Sequence, residues 1–178
     1  MGFPFFSRPK SLIGLDIGSG AIKLVQLSKS SRGYKLQRFG VKPLDSELIV
    51  DGTIMDADRV VSVIRELLEE QGVKEKEVAF AVSGHSVIVK KIQLPVMSEQ
   101  ELEESIKWEA EQYIPFDIND VNIDFHILES TVAGNDQMDV LLVAVKKEKL
   151  TEYTALITDA GLIPVVVDVD AFTLENMF

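Results

Sequence analysis

A short stretch near the amino terminus combines the residue types that contact phosphate groups. Residues Asp16–Lys23 read Asp-Ile-Gly-Ser-Gly-Ala-Ile-Lys and join two apolar segments. Gly18 and Gly20 let the backbone approach a ligand closely and adopt positive φ. Successive amide groups in such a turn form a concavity that binds anions. The stretch therefore indicates a phosphate-binding hairpin.

Three side chains of this stretch can add to the backbone donors. Ser19 offers a hydroxyl group and Lys23 a positive charge, while Asp16 can hold a hydrated magnesium ion against phosphates. The spacing matches neither the Walker loop nor the Rossmann fingerprint. An ordinary glycine-rich hairpin with an aspartate at its entry fits the spacing equally well, so both interpretations stay open at this point.

Other ionisable residues carry weaker signals. Asp170 ends an apolar segment and begins a helical one, where it can orient water or a metal ion, or cap the helix. Asp168 fits a strand-end carboxylate. His85 and His126 lie far apart without a serine nucleophile or a ligand cluster, so no triad or metal spacing is visible.

The segments around the hairpin predict an α/β fold whose elements follow the order β-β-β-α-β. Alternating or continuous apolar runs predict the strands, and three- and four-residue spacing predicts the helix, which Asp56 caps and Gly72 ends. The predicted strands are 11–16, 22–28, 34–43 and 78–82, and the helix is 58–71.

The middle of the chain predicts a small α/β lobe inserted into this sheet at 84–135. Ser98 and Glu101 form a capping box that begins a helix running to Tyr113, and Pro115 prevents its continuation. We assign 1–83 and 136–178 to the main lobe, with the apolar runs 139–145 and 163–167 as buried strands on either side of a helix over 147–160. The helix that starts at Ala171 is cut off after about two turns, which suggests a fragment.

Composition narrows the class of protein. The 178 residues are 46% hydrophobic, carry a formal net charge of −11 and include no cysteine. These numbers favour a globular domain without disulfides or thiol catalysis, in a reducing compartment. The negative charge disfavours nucleic acid and anionic lipid as partners. No apolar run approaches the roughly 20 residues that span a membrane.

Longer blocks of sequence resemble a known family. SLIGLDIGSGAIKLVQLS is similar to the first phosphate-binding hairpin of the actin and hexokinase superfamily. The block from Gly84 to Leu128 and the segment GLIPVVVDVDAFTLENMF resemble the PilM-type proteins of type IV pilus assembly, in their N-terminal half. The resemblance implies an actin-like, ribonuclease H-like mixed sheet flanked by helices, with the inserted α/β lobe that PilM shares with the division protein FtsA.

The resemblance also implies a nucleotide. Asp16, Gly18, Ser19, Gly20 and Lys23 would contact the phosphates of ATP and its magnesium ion, and Asp170 would orient water or metal. The superfamily completes its nucleotide site with a second phosphate loop and an adenosine-binding segment that this chain does not contain. We therefore expect ATP and Mg²⁺ to bind the full-length protein, with at most weak ATPase activity, and to bind this chain weakly or not at all.

PilM-type proteins bind the N-terminal cytoplasmic tail of the membrane protein PilN, in a groove between the main and inserted lobes. The resemblance thus implies a cytoplasmic protein that is peripheral to the inner membrane through its partner. The groove walls would come from 87–94 and 121–128, and contacts with other pilus assembly proteins or with a second copy are further expectations.

Two other classes stay open from the sequence. A small-molecule kinase of the same superfamily would begin with the same hairpin and would need Asp170 as its catalytic base. A filament-forming, FtsA-like protein would share the inserted lobe and would tether itself to a membrane by a C-terminal amphipathic helix. Phe3, Phe5 and Phe6 could cover the domain or dock onto a neighbour.

Overall fold

The computed structural model describes residues 12–128 and 136–177, which fold into two compact units. Of the described residues, the first unit comprises 12–83 and 152–177, and the second comprises 84–128 and 136–151. The first boundary lies where the sequence predicts it. The second boundary differs from the predicted one at 135, because the strand over Gln137–Lys146 pairs with strands of the second unit. The assignment of 136–151 to the main lobe is therefore wrong.

A mixed five-stranded sheet forms the centre of the first unit. Its strands are β1 (Ile13–Ile17), β2 (Ala21–Ser30), β3 (Gly33–Pro43), β6 (Glu77–Val82) and β10 (Ile163–Val169), in the order β10-β6-β1-β2-β3. The first three strands form the predicted antiparallel meander, while β1, β6 and β10 run parallel. A two-stranded ribbon, β4 (Ile49–Val50) and β5 (Thr53–Ile54), follows β3 and was not predicted.

Helix α1 (Ala57–Glu70) buries the apolar face that its sequence predicts, with Val60, Ile64 and Leu67 almost inaccessible to solvent. The Asp56 side chain accepts a hydrogen bond from the amide of Arg59, so it is the predicted N-cap. Gly72 follows the helix with φ of +59°, the left-handed conformation expected of a C-terminal glycine.

Helix α1 packs closely on β3 because that strand has a glycine at the contact. A Cβ atom at Gly40 would lie 2.7 Å from Leu67 Cδ1 and 2.8 Å from Gln71 Cγ. Lys42, also on β3, pairs with Glu66 and Glu70 of the helix. These contacts fix the helix over one face of the sheet, and the opposite face carries the predicted phosphate hairpin residues Asp16 and Lys23.

Strand β10 is less buried than its apolar sequence predicts. Ile163 is 56% exposed, and Val165, Val166 and Val167 are each nearly half exposed. The strand has one neighbour, β6, and its pairing is irregular between Pro164 and Val166. Strand β10 is thus one of the two edge strands of the described sheet. Helix α4 (Asp170–Glu175) begins directly after it.

The second unit has its own three-stranded antiparallel sheet. The order is β7-β9-β8, with β7 over Val87–Pro95, β8 over Val121–Ile127 and β9 over Gln137–Lys146. Helix α2 (Glu99–Ala110) packs Leu102, Ile106 and Ala110 against the sheet. Central strand β9 contributes Val140, Leu142 and Ala144 to the same core.

The helices of the second unit confirm some predictions and correct others. Ser98 and Glu101 form the predicted capping box at the start of α2. The helix ends at Ala110 instead of Tyr113, and a short 3-10 turn (Ile118–Asp120) precedes β8. After β9, helix α3 (Lys147–Asp159) carries the chain from the second unit to the first, so the boundary falls inside it.

Candidate functional site

The β1–β2 hairpin places a carboxylate and an ammonium group side by side. Asp16 and Lys23 are register partners across the two strands, and Lys23 Nζ lies 2.7 Å from Asp16 Oδ2. Both side chains are about half exposed. The pair therefore meets solvent at the end of the hairpin and is available to a charged ligand.

The turn between the strands is tight. The amide of Gly18 donates a hydrogen bond to the carbonyl of Ala21, and the carbonyl of Gly20 accepts one from Leu44. Within residues 12–128 and 136–177, the amides of Ser19 and Gly20 donate no hydrogen bond. Two donors of the turn thus remain free to bind an anion.

The two glycines do not have the positive φ that the sequence analysis expected of them. Neither belongs to the glycines with left-handed backbone. A Cβ atom at Gly18 would lie 3.3 Å from the carbonyl oxygen of Ala21, whereas one at Gly20 would meet nothing within 4 Å. Gly18 is thus favoured by close backbone approach, and Gly20 leaves open space beside the turn.

A second carboxylate lies on the same face of the sheet. Leu15 pairs with Phe80 on the parallel strand β6, so Asp16 lies in the same row as Ala81, which pairs with Asp168 on β10. The three residues line one cavity of about 360 Å³ together with Lys23 and with Thr173 of α4. The cavity brings Asp168 towards the phosphate hairpin.

Asp170 does not line this cavity. Its carboxylate accepts a hydrogen bond from the amide of Ala171 and is exposed at the start of α4. The Asp168 carboxylate makes the equivalent bond to Val169 but is partly buried. Of these two residues, Asp168 lines the cavity with Asp16 and the predicted Asp170 does not. The sequence alone does not distinguish them, because both residues border the strand end.

Three charged side chains, those of Asp16, Lys23 and Asp168, face an otherwise largely apolar cavity. One or two carboxylates are the usual protein ligands of Mg²⁺, which keeps several waters and binds substrate phosphates as well. Asp16 and Asp168 supply two carboxylates to the lining and Lys23 an ammonium group, whereas the turn residues Gly18, Ser19 and Gly20 do not line the cavity. In the described part of the chain, no group of three or more histidines, aspartates and glutamates is placed to hold a metal ion.

One buried phenol lies near these charges. Tyr153 of α3 is 4% exposed, and its burial raises the pKa of the hydroxyl above the usual value. The negative charges of Glu152 and Asp16 raise the pKa further. Tyr153 is therefore neutral at physiological pH and adds no charge to the site.

The two segments predicted to line a peptide groove are the outer strands β7 and β8 of the second unit, with β9 between them. Their inner faces pack in the core of that unit. Trp108 of α2 is 76% exposed. Phe3, Phe5 and Phe6 lie outside the described residues.

A family model for the type IV pilus assembly protein PilM matches residues 14–178. The chain belongs to the PilM family. A solved PilM–PilN type IV pilus biogenesis complex contains a chain that is 35% identical, with a TM-score of 0.81. The match covers 93% of this chain and 48% of the other, so this chain spans about half the length of that relative.

The cytoplasmic domain of EpsL, an inner membrane component of the type II secretion system of Vibrio cholerae, also matches. The identity is 16% and the TM-score 0.58, over 90% of this chain and 57% of that one. This second likeness bears on the fold alone. Together with the PilM match, it confirms the predicted fold class, a mixed sheet flanked by helices.

Proposed function

We propose that this PilM-family protein binds the N-terminal tail of a PilN-type membrane protein and is held by it at the cytoplasmic face of the inner membrane. The observation that carries the proposal is the 35% identity to the chain of the PilM–PilN complex, over 93% of this chain. The charge of the chain favours the same arrangement, because a net charge of −11 opposes direct binding to anionic lipid.

The full-length protein also binds ATP with Mg²⁺ in this proposal. Asp16 and Asp168 would hold the hydrated cation. Lys23 and the backbone amides of Ser19 and Gly20 would bind phosphate oxygens. Gly18, which has no side chain, would permit the tight turn. The cavity that Asp16, Lys23 and Asp168 line supports the cation site, and the turn amides, which have no hydrogen-bond partner among the described residues, support the phosphate contacts. Bound nucleotide would supply negative charge that draws Lys23 away from Asp16.

Membrane recruitment tests the partner and the location together. The full-length protein is expressed with the membrane protein, either intact or lacking its N-terminal tail, and membranes are separated from soluble protein. We expect the protein in the membrane fraction only with the intact tail. Equal distribution in both strains would contradict a tail-dependent attachment. Recovery with membranes in both strains would favour an anchor of its own, as in the FtsA-like alternative.

A further inference from the structure

The β2–β3 hairpin carries a positive charge that the composition of the whole chain conceals. Residues 21–43 include six lysines and arginines and no aspartate or glutamate, so this segment has a formal charge of +6. The whole chain has a formal net charge of −11, which leaves −17 for all its other residues. The average charge, on which the sequence-based expectation about lipid rests, therefore does not describe this hairpin.

Three of these six basic residues already have partners within the first unit. Lys23 pairs with Asp16, and Lys42 pairs with two glutamates of α1. Arg38 donates a hydrogen bond to the carbonyl of Gln71. The other three lie at the β2–β3 end, which we define as residues 27–36, and they are Lys29, Arg32 and Lys35. Within the described ranges 12–128 and 136–177, none of these three forms an ion pair.

The turn at the β2–β3 end leaves the three charged side chains in solvent. Strand β2 ends at Ser30 and β3 begins at Gly33, so Arg32 lies in a two-residue turn. The Ser30 hydroxyl donates to the carbonyl of Gly33 and accepts a hydrogen bond from the Arg32 amide. Lys29, Arg32 and Lys35 are all exposed. The turn is therefore held by its own hydrogen bonds, and the cations remain available to an anionic partner.

Apolar side chains accompany the charges on one face of the β2–β3 end. Leu27 pairs with Leu36, and Lys29 pairs with Tyr34. Because side chains alternate along each strand, these four share one face of the hairpin. The two leucines are 42% and 56% exposed, and Tyr34 is 74% exposed. Exposed tyrosine and aliphatic side chains beside lysine are typical of surfaces that lie at the interface of a membrane with water.

We propose that the β2–β3 end contacts the anionic lipid headgroups of the membrane beside which the protein is held. The proposal rests on the proposed function for this location alone. Lys29, Arg32 and Lys35 approach the headgroups, while Tyr34 and Leu36 enter the interface. At physiological ionic strength, charges more than about 8 Å from the headgroups are largely screened. The acidic remainder of the chain therefore weakens this local attraction without cancelling it.

The contact differs in kind from the attachment through a PilN-type partner. Three basic residues give weak, reversible binding, and the net charge of −11 keeps the protein from attaching by this contact alone. The partner would hold the protein near the bilayer, and the β2–β3 end would orient it there. This end of the hairpin is opposite the turn of Gly18 and Gly20, since β2 begins at that turn and runs away from it.

Vesicle partitioning of this chain, without any partner, tests the contact. The protein is mixed with excess phosphatidylcholine vesicles, with or without an equal share of anionic phosphatidylglycerol, at physiological ionic strength, and the bound fraction is measured by flotation. Each basic residue at an anionic surface adds about fivefold to partitioning. Allowing for the acidic remainder, we expect at least about tenfold stronger partitioning into the anionic vesicles. Equal partitioning would overturn the proposal and, because no tail is present, would leave the proposed function intact.

Charge reversal tests the location. Arg32→Glu combined with Lys35→Glu should weaken partitioning into anionic vesicles at least about tenfold, since two attractions become repulsions. Lys74→Glu combined with Lys76→Glu makes the same change in net charge at two exposed lysines outside the hairpin, and should stay within about threefold of the wild type. Denaturant unfolding shows that both double variants fold. An equal loss in both would show that net charge alone decides, and would overturn the hairpin site.

Other anionic partners of the β2–β3 end have distinct results. Tyr34→Ala should weaken partitioning at least about threefold, because a bilayer takes up the ring whereas a purely ionic partner does not; unchanged partitioning would contradict insertion. A dimer in analytical ultracentrifugation that Arg32→Glu with Lys35→Glu disrupts would assign the surface to a second copy. Tighter binding of a short DNA duplex than of anionic vesicles would assign it to nucleic acid. Either result would overturn the lipid contact.

Discussion

Lys23 Nζ lies 2.7 Å from Asp16 Oδ2, across a register pair of the β1–β2 hairpin. Both groups are half exposed, so the pair contributes little to stability. The same exposure leaves the ammonium group free to exchange its partner for a phosphate. In our proposal, the pair therefore serves ligand binding more than folding.

Lys23→Ala should separate these two roles. We expect the free energy of unfolding to change by less than about 1 kcal/mol, because exposed ion pairs are weak. In the full-length protein, the affinity for ATP with Mg²⁺ should fall at least about tenfold, since a charge-assisted bond to phosphate is lost. Lys29→Ala, on the exposed end of the same strand, is the matched control for calorimetry and denaturant unfolding. Equal affinities of the two variants would remove Lys23 from the site.

Asp168 and Asp170 offer a second matched comparison. Each carboxylate accepts a hydrogen bond from the next backbone amide at 2.7 Å, but Asp168 alone lines the cavity with Asp16. We expect Asp168→Asn in the full-length protein to weaken the Mg²⁺ dependence of ATP binding, with little effect of Asp170→Asn. Titrations of ATP at several Mg²⁺ concentrations measure this difference. The reverse order would restore Asp170 as the acidic residue of the site.

Gly40→Ala should destabilise the first unit. The added methyl group would lie under 3 Å from side-chain atoms of Leu67 and Gln71, so these side chains, or α1 itself, must shift. We expect a loss of about 1–3 kcal/mol in the free energy of unfolding, typical of overpacking. Gly20→Ala is the control, because its methyl group would enter open space. Denaturant unfolding of both variants decides whether packing at β3 requires a glycine.

The capping box of α2 predicts a pH dependence. Hydrogen bonds from the backbone amide and then from the hydroxyl of Ser98 hold the pKa of Glu101 below its usual 4.5. A carboxylate whose pKa is lowered on folding stabilises the folded state at pH values above its pKa in the unfolded chain. This stabilisation is lost as the pH falls through the pKa of the folded state. Glu101→Gln should thus destabilise the protein at neutral pH and differ little from wild type in strong acid.

Urea unfolding as a function of pH measures this difference, with Glu104→Gln as the control on the same helix. Ser98→Ala, which removes the cap itself, should cost about 1 kcal/mol at neutral pH. If the loss in the free energy of unfolding of Glu101→Gln did not depend on pH, the capping hydrogen bond would not require the ionised carboxylate.

Features that depend on neighbouring residues were predictable from the sequence. The hairpin, the Asp56 cap, the Gly72 terminus and the Ser98–Glu101 box each require a few adjacent residues, and the structure contains all of them. Helix α1 was also predictable, because its apolar spacing directly reflects the buried face.

Features that depend on strand pairing were not predictable. The apolar run of β9 fits a central strand in either sheet, and only its pairing with β7 and β8 assigns it to the second unit. The valines of β10 suggest burial, yet this strand has a neighbour on one side only. Asp168 lies in the same row of the sheet as Asp16 because β1 and β10 both pair with β6. At that row β6 has the uncharged Ala81, so the sequence carries no sign of the relationship.

The most direct test of the account is calorimetry of this chain with a peptide copying the N-terminal cytoplasmic tail of its PilN-type partner, beside a scrambled peptide of the same composition. We predict saturable binding of the native tail, without ATP or Mg²⁺, and no binding of the scrambled one. No binding of the native tail by this chain or by the full-length protein, or equal binding of both peptides, would contradict the proposed role as a partner-binding pilus assembly protein.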